Sequence, residues 1–282
     1  MTAPTVSREA LLHVVKNLPA APRVLAQLGG LLLDPNSDLS DVIDLLKHDS
    51  GLTTRVIRVS NSAAYGSASR AASLEEALMR VGFNEVYRLV GLAAVANISD
   101  DNLRSYGISG TRFRENSLFT GFVAEVLAPT AEVDPRAAYT AGLLRSTGKI
   151  AIDRLLPGPV NAKSYAVAGK SRPVDQWELE VVGIENCVAA ATVLEEWRFP
   201  PLTVQAIRDQ YRPGASSIPL AHILNIAAGL AEKEGYGLPG ELSYWGPKSS
   251  NQQPPVVLDP EELERAVMIA RDRFEPARQA VG

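Results

Sequence analysis

Apolar side chains recur at three- and four-residue intervals along most of this sequence, the spacing that places them on one face of an α-helix. The first such segment carries Leu11, Val15 and Leu18 behind Ser7, a residue type that caps helix N-termini. No segment shows the alternation of apolar and polar residues that is typical of a half-buried strand. Because apolar residue types make up 46% of the chain, they can form a large buried core. The sequence therefore predicts an all-α, multi-helical protein.

Polar and helix-breaking segments divide this helical pattern into parts. Residues 100–111 are polar and are predicted to link two helical halves that pack together. A long irregular loop rich in proline and glycine is predicted to follow the second half. The expected divisions are an N-terminal helical subdomain over residues 1–100, a second helical subdomain over residues 101–235, and a loop with a C-terminal helix over residues 236–282.

Several helix boundaries can be predicted from capping and breaking residues. Ser40 is expected to cap the third helix, and the first helix of the second half is expected to begin at Phe113. The segment 175–197 is predicted to be helical with an interruption at Gly183. The last helix is expected to open after Asp259 and to end near residue 273.

Residues 142–150 place polar groups inside an apolar helical pattern. Gly148-Lys149 behind Gly142 is similar to a P-loop, in which backbone N–H groups and a lysine hold phosphates. The glycine spacing is one residue too long, however, and Ile150 stands where a P-loop has its Mg²⁺-binding Ser or Thr. No strand pattern precedes the segment. A helix with a kink at small residues is a simpler interpretation, and a former metal site is a third, based on the family resemblance described below.

The charge and the N-terminus exclude several functional classes. A net charge of −4 argues against general nucleic-acid binding, which favours a basic surface. No uncharged apolar run reaches the roughly 18–20 residues that span a bilayer, and the N-terminus lacks the pattern of a signal peptide. The single cysteine excludes an intramolecular disulfide and fits a reducing compartment. We expect a cytoplasmic protein that binds neither nucleic acid nor membrane and needs no cofactor.

A series of short motifs follows in the N-terminal part of the chain. The motifs are Leu18-Pro19, residues 47–52 (Lys-His-Asp-Ser-Gly-Leu), residues 61–66 (Asn-Ser-Ala-Ala-Tyr-Gly), Ser73-Leu74-Glu75-Glu76-Ala77 and Val81-Gly82. One such motif would be weak evidence, but their order resembles that of the bacterial HDOD domain over about residues 10–230. The resemblance implies a bundle of two packed helical halves, the second related to HD-type metal phosphohydrolases.

In HD-type enzymes, histidines and aspartates hold the divalent metal ions that activate water against a phosphoester. The resemblance places other residue types at the corresponding positions of this chain. These residues are Asn116, the pair Arg145-Ser146, Asn186, the pair Gln210-Tyr211 and approximately Gly229. An arginine has no lone pair to donate and repels a cation, so the resemblance implies that the metal site has been lost.

Arg145 is expected to replace the positive charge of the metal, with Lys149 one helical turn away on the same side. Arg145 could pair with Glu115 or Glu185 as an internal strut, which is the usual solution for a partly buried arginine and the one that we favour. It could instead leave a small cationic pocket for a phosphate or nucleotide. The residues predicted to line this vestigial site are Asn116, Arg145, Ser146, Lys149, Asn186 and Gln210, and no bound metal is expected.

The resemblance implies a regulatory module in bacterial signalling that binds proteins or small signals and does not turn over a substrate. The partners it implies are signalling proteins, among them nucleotide cyclases, phosphodiesterases and receiver-domain proteins. Two predicted contact surfaces are the region of Asn61, Ser62 and Tyr65 and the aromatic pair Tyr244-Trp245, since aromatic side chains often anchor interfaces. The pair could equally be a lid on its own domain. The junction near residues 100–111 is a third predicted surface.

The main alternative is an enzyme, namely a metal-dependent phosphohydrolase or phosphodiesterase with a non-standard ligand set. Such an enzyme requires carboxylates that converge on a metal ion. The carboxylates available for this in the second half are Asp153, Asp175, Glu178, Glu180 and Asp209. A purely structural or assembly role is a further alternative.

Overall fold

The computed structural model describes residues 6–18, 21–31, 36–62, 65, 70–98, 101–156, 164–169, 172–245 and 258–281. Within these residues the chain forms fourteen α-helices and no β-strand, and its one β-type pairing is an isolated antiparallel bridge between Leu103 and Ile108. The prediction of an all-α fold is therefore confirmed. Pro19, residues 63, 64 and 66 of the predicted motifs, and residues 246–257 of the predicted loop lie outside the described residues.

The first six helices come from the N-terminal third of the chain. They are α1 (Arg8–Lys16), α2 (Ala21–Leu31), α3 (Leu39–Lys47), α4 (Ser50–Ser60), α5 (Leu74–Val81) and α6 (Phe83–Ile98). α2 packs against α3 and α6, and α4 packs against α5 and α6. The long helix α6 is therefore the common packing partner of α2, α4 and α5.

The remaining eight helices form the second group. They are α7 (Gly110–Leu127), α8 (Pro135–Leu144), α9 (Thr147–Leu155), α10 (Val174–Val181), α11 (Asn186–Glu196), α12 (Pro201–Asp209), α13 (Pro219–Lys233) and α14 (Pro260–Val281). Short helical turns at Ala128–Ala131, Tyr165–Gly169, Pro213–Ala215 and Leu242–Tyr244 lie between them. The interruption predicted at Gly183 is confirmed, because this glycine has a φ of 74° and lies between α10 and α11.

Helix α7 is the centre of the second group. It packs against α6, α8, α13 and α14. Most of its side chains are buried around its whole circumference, among them Phe113, Phe119 and Val123. A helix that is covered on all sides needs no amphipathic pattern, which explains why its polar residues can point into the interior.

Glycines in the segment 142–150 let helices approach closely. A Cβ atom on Gly142 would lie 2.6 Å from the backbone of Gly121 on α7, and one on Gly148 would lie 1.9 Å from the carbonyl oxygen of Asn186 on α11. The segment forms the end of α8, a short joint and the start of α9, so it is helical and has no phosphate-cradling loop. The kinked helix is thus the interpretation that matches its backbone.

Two predicted helix starts are corrected by the structure. Asp38, and not Ser40, caps α3, because its carboxylate accepts the Ser40 and Asp41 backbone N–H groups. Helix α7 begins at Gly110 and not at Phe113, since Ser109 accepts the backbone N–H of Arg112 and closes the first turn. In both cases a polar residue slightly upstream provides the better capping geometry.

The last helix is longer than predicted. α14 continues to Val281 through Pro276, although proline in a helix interior removes one backbone hydrogen bond. Phe274, Ala277 and Ala280 continue its buried face on both sides of the proline. Their burial supplies the stabilisation that extends the helix beyond residue 273.

The segment predicted as a polar linker is instead a packed turn over its described residues. Leu103, Tyr106 and Ile108 are buried, and the bridge between Leu103 and Ile108 closes the turn. The backbone N–H of Ser105 donates to Asp153 on α9 at 2.7 Å. Three apolar side chains among polar neighbours were sufficient to fix this segment to the second group.

The first and the last helix each pack against helices of the second group. α1 packs against α9 and α11, and the backbone N–H of Val6 donates to the carbonyl oxygen of Val182 at 3.0 Å. α14 packs against α7 and also meets α4 and α6. The division at residues 1–100, 101–235 and 236–282 stays a prediction. Within the described residues, no helix is both long and apolar enough to cross a membrane.

We predict that Gly148→Ala strongly destabilises the protein, because the added Cβ would overlap the backbone of α11. Overpacking of this kind is expected to lower the free energy of unfolding by about 3 kcal/mol. The matched control is Gly30→Ala in α2, where a Cβ meets no atom within 4 Å and alanine is expected to stabilise by about 0.4–1 kcal/mol. Urea denaturation of both variants measures the difference, and equal stabilities would contradict the packing argument.

Candidate functional site: a buried charge cluster

The joint between α8 and α9 directs a charged side chain into the interior. Arg145 follows the last residue of α8, and Ser146 precedes the first residue of α9. The close approach of α9 to α11 at Gly148 fixes the direction of the joint. As a result Arg145 is only 1% exposed, and a guanidinium group lies among the helices of the second group.

The Arg145 guanidinium is held by three side chains from different parts of the chain. Nη1 donates to Oε1 of Gln210 at 3.1 Å, and Nη2 donates to Oδ1 of Asn116 at 3.0 Å. Nη2 also donates to Oε2 of Glu241 at 2.7 Å, which is a charge-assisted hydrogen bond. Gln210 returns a bond from Nε2 to the Arg145 carbonyl oxygen at 3.0 Å. The arginine therefore joins α7, the end of α12 and the loop after α13.

Glu241 is the fully buried carboxylate at the centre of the cluster. Its Oε1 accepts a hydrogen bond from the Tyr211 hydroxyl at 2.7 Å and lies 3.2 Å from Nζ of Lys149. Its Oε2 takes the bond from Arg145. One carboxylate thus bridges both buried cations.

The loop that carries Glu241 is tied down along its length. Arg112 on α7 donates from Nε to the Gly237 carbonyl oxygen at 2.8 Å and from Nη1 to that of Gly235. Nδ2 of Asn116 donates to the Tyr236 carbonyl oxygen at 2.9 Å. At the other end, the Gly240 carbonyl oxygen accepts the backbone N–H of Val174. The position of Glu241 therefore depends on hydrogen bonds to the loop backbone as well as on charge.

Lys149 and Glu178 extend the cluster towards α10. Lys149 is fully buried, with Nζ 3.9 Å from Oε1 of Glu178 and 5.2 Å from the ring centre of Tyr106. Glu178 accepts the Tyr106 hydroxyl at 2.8 Å on Oε1, and Oε2 accepts the backbone N–H and the amide of Asn186 at 2.7 and 2.9 Å. The Nζ contacts of Lys149 are ion pairs and not directed hydrogen bonds.

The two buried carboxylates have opposite pKa shifts. Burial would raise the pKa of Glu241, but Arg145 and Lys149 together hold this pKa below its ordinary value. Burial raises the pKa of Glu178, and Lys149 and the donors on Asn186 only partly oppose this. Burial lowers the pKa of Arg145, but the charge of Glu241, together with Tyr211 and the hydrogen bonds to both residues, raises it overall. The ionised Glu241–Arg145 pair is therefore the stable centre of the cluster.

The structure brings the predicted site residues into one cluster. Asn116 and Gln210 bind Arg145 directly, whereas Lys149 and Asn186 reach it through Glu241, Glu178 and the Tyr211 hydroxyl, which lies 3.1 Å from Oδ1 of Asn186. Ser146 is also buried, but among the described residues its hydroxyl has no hydrogen-bond partner.

The partners predicted for Arg145 were wrong. Glu115 accepts a hydrogen bond from Arg278 at 3.3 Å, and Glu185 accepts one from Arg212 at 2.8 Å, both nearer the surface. Glu241 takes their place. Both predicted partners are close to site residues in sequence, but they lie on helix positions that point away from the joint.

Glu241, Glu178 and Tyr106 belong to the cluster, but the sequence analysis did not place them there. Glu241 lies in the loop that was predicted to be irregular, so no periodicity marks it. Charge balance could have indicated that a carboxylate was missing from the predicted set, because a buried arginine and a buried lysine need a buried counter-charge. Glu178 was considered only as a metal ligand of the alternative enzyme.

Tyr244 and Trp245 form a lid on the protein itself. Tyr244 is 6% exposed, stacks on Tyr211 with ring centres 4.2 Å apart, and accepts the backbone N–H of Asp175. The Trp245 ring lies 5.5 Å from Cζ of Arg145. A Cβ on Gly229 would be 3.2 Å from Cβ of Trp245, so this glycine leaves room for the lid. Of the two alternatives for the aromatic pair, the structure shows the lid.

The other predicted contact surface has internal bonds of its own. The Asn61 amide donates to the Ala71 carbonyl oxygen and accepts the backbone N–H of Ala71, and Arg80 also donates to it. The Ser62 hydroxyl donates to the Val59 carbonyl oxygen, and Tyr65 packs partly against the core. The role of Asn61, Ser62 and Tyr65 as a partner surface stays a prediction.

The residues described provide no converging set of metal donors. Among them, no group of three or more His, Cys, Asp or Glu side chains is placed to hold a metal ion. The carboxylates of the alternative enzyme have separate partners: Asp153 binds Ser105, Asp175 binds Arg212, Glu178 binds Tyr106 and Asn186, Glu180 binds Arg172, and Asp209 binds Gln205. The Glu241 carboxylate itself occupies the place between Arg145 and Lys149 where a phosphate would bind in a cationic pocket.

Comparisons with known proteins agree with this architecture. Residues 18–213 match the family model of the HDOD domain, which is more than half of the chain. An uncharacterised protein of Treponema pallidum (strain Nichols) is 23% identical over 223 residues, covering 74% of this chain and 42% of that protein. The chain thus spans less than half the length of that curated relative.

Solved structures show the same fold. A Shewanella amazonensis SB2B protein with the provisional name phosphohydrolase has a TM-score of 0.71 at 24% identity, covering 97% of this chain and 98% of its own. A Marinobacter aquaeolei VT8 protein with the provisional name signal transduction protein has a TM-score of 0.70 at 22% identity, covering 97% of this chain and 65% of its own. At these identities the similarity establishes the fold alone.

We predict that Arg145→Met lowers the free energy of unfolding by about 3–5 kcal/mol, because it leaves the buried Glu241 carboxylate without its main partner. The double variant Arg145→Met with Glu241→Gln should recover part of this loss, since it removes the unpaired charge as well. Chemical denaturation of both single variants and the double variant gives the coupling energy, expected to exceed about 0.5 kcal/mol. Strictly additive losses would show that the pair does not interact as described.

We also predict a pH-dependent difference between the wild type and Glu241→Gln. The folded-state pKa of Glu241 is depressed, so its stabilisation is present above the unfolded value of about 4.3 and is lost as pH falls through the folded pKa. The Tm difference should therefore be constant near neutral pH and shrink in acid. Glu178 is present in both proteins. Because its pKa is raised, its contribution to stability changes with pH in the direction opposite to that of Glu241 in both the wild type and the variant.

Thermal unfolding between neutral pH and about pH 3 measures this difference. Glu264→Gln on the exposed face of α14 is the control, and it should change Tm little at any pH. A Tm difference for Glu241→Gln that grows as the pH falls would be incompatible with an ionised Glu241 in the folded state.

Proposed function

This chain belongs to the HDOD family, which is related to HD phosphohydrolases, and from that membership we propose that it is a non-catalytic signalling module. In this role it binds a protein partner or a small signal and changes the activity of that partner. The chain would thus keep the helical framework of the family but would not turn over a substrate.

The observation that carries this proposal is the place of the Arg145 guanidinium. It is buried at the joint where the resemblance puts the His-Asp pair, and it binds the residues at two other former ligand positions, Asn116 and Gln210. A metal ion at this point would lie against a permanent positive charge. The Lys149 ammonium adds a second one next to it.

The carboxylates near the cluster support the same proposal. Both oxygens of Glu241 are occupied by Arg145, Tyr211 and Lys149. Both oxygens of Glu178 accept hydrogen bonds from Tyr106 and Asn186. Neither group has a free oxygen directed at an open site, and activation of water by a metal needs such donors.

The signalling part of the proposal draws on the family and on one structural relative. The Marinobacter protein of the same fold bears the provisional name signal transduction protein. We further propose that the module acts in the bacterial cytoplasm on separate partners, with nucleotide cyclases, phosphodiesterases and receiver-domain proteins as the classes to test. The region of Asn61, Ser62 and Tyr65 is the contact surface that we favour, since Tyr244 is buried.

We predict that the purified protein hydrolyses neither bis-p-nitrophenyl phosphate nor cyclic dinucleotides in the presence of Mn²⁺, Mg²⁺ or Fe²⁺. Elemental analysis of the same sample should find these metals only in substoichiometric amounts. Turnover that depends on a bound metal and stops on chelation would reverse the proposal in favour of the phosphohydrolase. A related HD enzyme with its full ligand set serves as the positive control for the assay.

We predict that Ser62→Arg abolishes capture of the partner protein from an extract of the source cell, because the new charged side chain would block the proposed surface. Leu202→Arg is the matched control, since Leu202 is 69% exposed on α12, a helix that packs against α8, α11 and α13. Quantitative mass spectrometry of the captured proteins compares the two variants with the wild type. Equal capture by both variants would place the contact elsewhere on the protein.

A further inference from the structure

A second candidate site lies far from the charge cluster, between the two groups of helices. A cavity of about 480 Å³ separates α2 from the C-terminal end of α11. The side chains that line it are Arg23, Ala26, Gln27, Glu196, Trp197 and Arg198. Its volume lies within the usual range for small-molecule sites, roughly 300–1,000 Å³.

The α2 wall is one face of a helix. Arg23, Ala26 and Gln27 are separated by three and four residues, so they lie together on the side of α2 that faces the cavity. The opposite side of α2 carries Leu25 and Leu28, which are buried against the first group of helices. Ala26 has a small side chain, so it fills little of the space beside Arg23 and Gln27.

The α11 wall contains a residue in an unfavourable backbone conformation. Arg198 follows the end of α11 with a φ of 61°, the left-handed region that usually takes glycine at this position. Its N–H donates to the Glu195 carbonyl oxygen, and the N–H of Phe199 donates to that of Leu194. A non-glycine residue in this conformation costs about 1–2 kcal/mol, so the arginine side chain is placed here at the expense of stability.

Two nitrogen donors at the cavity have no acceptor among the described residues. Trp197 is only 3% exposed, and its Nε1 has no hydrogen-bond partner, although buried N–H groups are nearly always paired. Nε of Arg23 is buried and also lacks an acceptor. Both side chains line the same cavity, although these two nitrogen atoms are themselves covered by protein atoms.

The lining chemistry defines the ligand class. The two guanidinium groups and the Gln27 amide are donors suited to a phosphate group, which arginine binds with paired hydrogen bonds. The Glu196 carboxylate repels a second anion but accepts hydrogen bonds from hydroxyl or amino groups. We propose that this cavity binds a small phosphate monoester that also carries hydroxyl groups, such as a sugar phosphate or a nucleoside monophosphate.

Such a ligand would join the two groups of helices. Its phosphate would be held by Arg23 on α2 and Arg198 after α11, and so it would fix α2 against the second group. Helix α11 has eleven residues, so the cavity lies about 16 Å along this helix from Asn186 in the charge cluster. This inference names a small signal for the proposed function and rests on that function only for its regulatory meaning.

Isothermal titration of the full chain with ribose 5-phosphate, AMP and inorganic phosphate tests the site, with ribose and adenosine as unphosphorylated controls. We expect binding of at least one phosphate ester, weaker binding of inorganic phosphate, and none of the controls. The heat signal should be accompanied by a rise in Tm, because the ligand binds the folded state. If all three phosphate compounds fail to bind the folded protein, the proposal is wrong.

Variants locate the binding. Arg198→Gly removes a guanidinium while relieving the backbone conformation, so Tm should stay equal or rise while the affinity falls about tenfold or more. Arg23→Gln should weaken binding similarly from the other wall, and it gives an independent result if the first variant does not fold. Arg265→Gln on the exposed face of α14 is the matched control and should bind like the wild type. Unchanged affinity in a folded Arg198 or Arg23 variant would overturn the assignment.

The same samples separate this inference from the proposed function. Phosphorus NMR of the titrated ester shows whether it is bound intact or hydrolysed. Intact binding supports both proposals. Hydrolysis would refute the non-catalytic role but leave the cavity as a binding site, whereas an absence of binding would refute the site and leave the non-catalytic role standing.

Discussion

The ion pair between Arg145 and Glu241 is the interaction on which the second group of helices depends. The arginine is held by the short joint between α8 and α9, and the glutamate lies in a loop whose backbone is also bound by Arg112, Asn116 and Val174. A buried pair of this kind adds little net stability compared with apolar packing, but removing either partner leaves an uncompensated charge in the interior. Its main physical effect is therefore to specify one position for the loop over α7, and with it the aromatic lid of Tyr244 and Trp245.

In the proposed function, Arg145 takes the structural role that a metal ion has in an HD-type site. A metal ion in an HD-type site draws ligands from several helices to one point. Arg145 donates hydrogen bonds to the side-chain carbonyl oxygens of Asn116 on α7 and Gln210 at the end of α12. It also donates one to a carboxylate oxygen of Glu241. A guanidinium suits this purpose because its donors form a rigid planar fork and it stays charged in the interior. An amide that accepts from arginine is of use only when the arginine is present, so under the proposed loss of the metal site these positions depend on one another.

Features that depend on residues close together in the sequence could be predicted, and contacts between residues far apart in the sequence could not. The helices follow from local periodicity, whereas the six predicted site residues were placed through the resemblance to the HDOD family. Glu241 lies 96 residues from Arg145, in a segment with no periodicity, so nothing local identifies it as the counter-charge. The choice of Glu115 and Glu185 failed for the same reason, because closeness along the chain does not fix which way a helix face points. The packed turn at residues 101–109 was missed because its three buried side chains are too few to form a pattern.

Helix α11 runs from the charge cluster to the proposed phosphate-binding cavity. Its first residue, Asn186, is held by Glu178 and lies next to Tyr211 in the charge cluster, while Trp197 and Arg198 at its far end line the cavity. The close contact with α9 at Gly148 packs the start of this helix tightly, and we propose that a displacement at one end therefore moves the whole helix. In the proposed mode of action, a phosphate ester that draws Arg198 towards Arg23 therefore acts on the same rigid element that bears the charge cluster. The strained backbone at Arg198 lies at the end of this element that is open to a ligand.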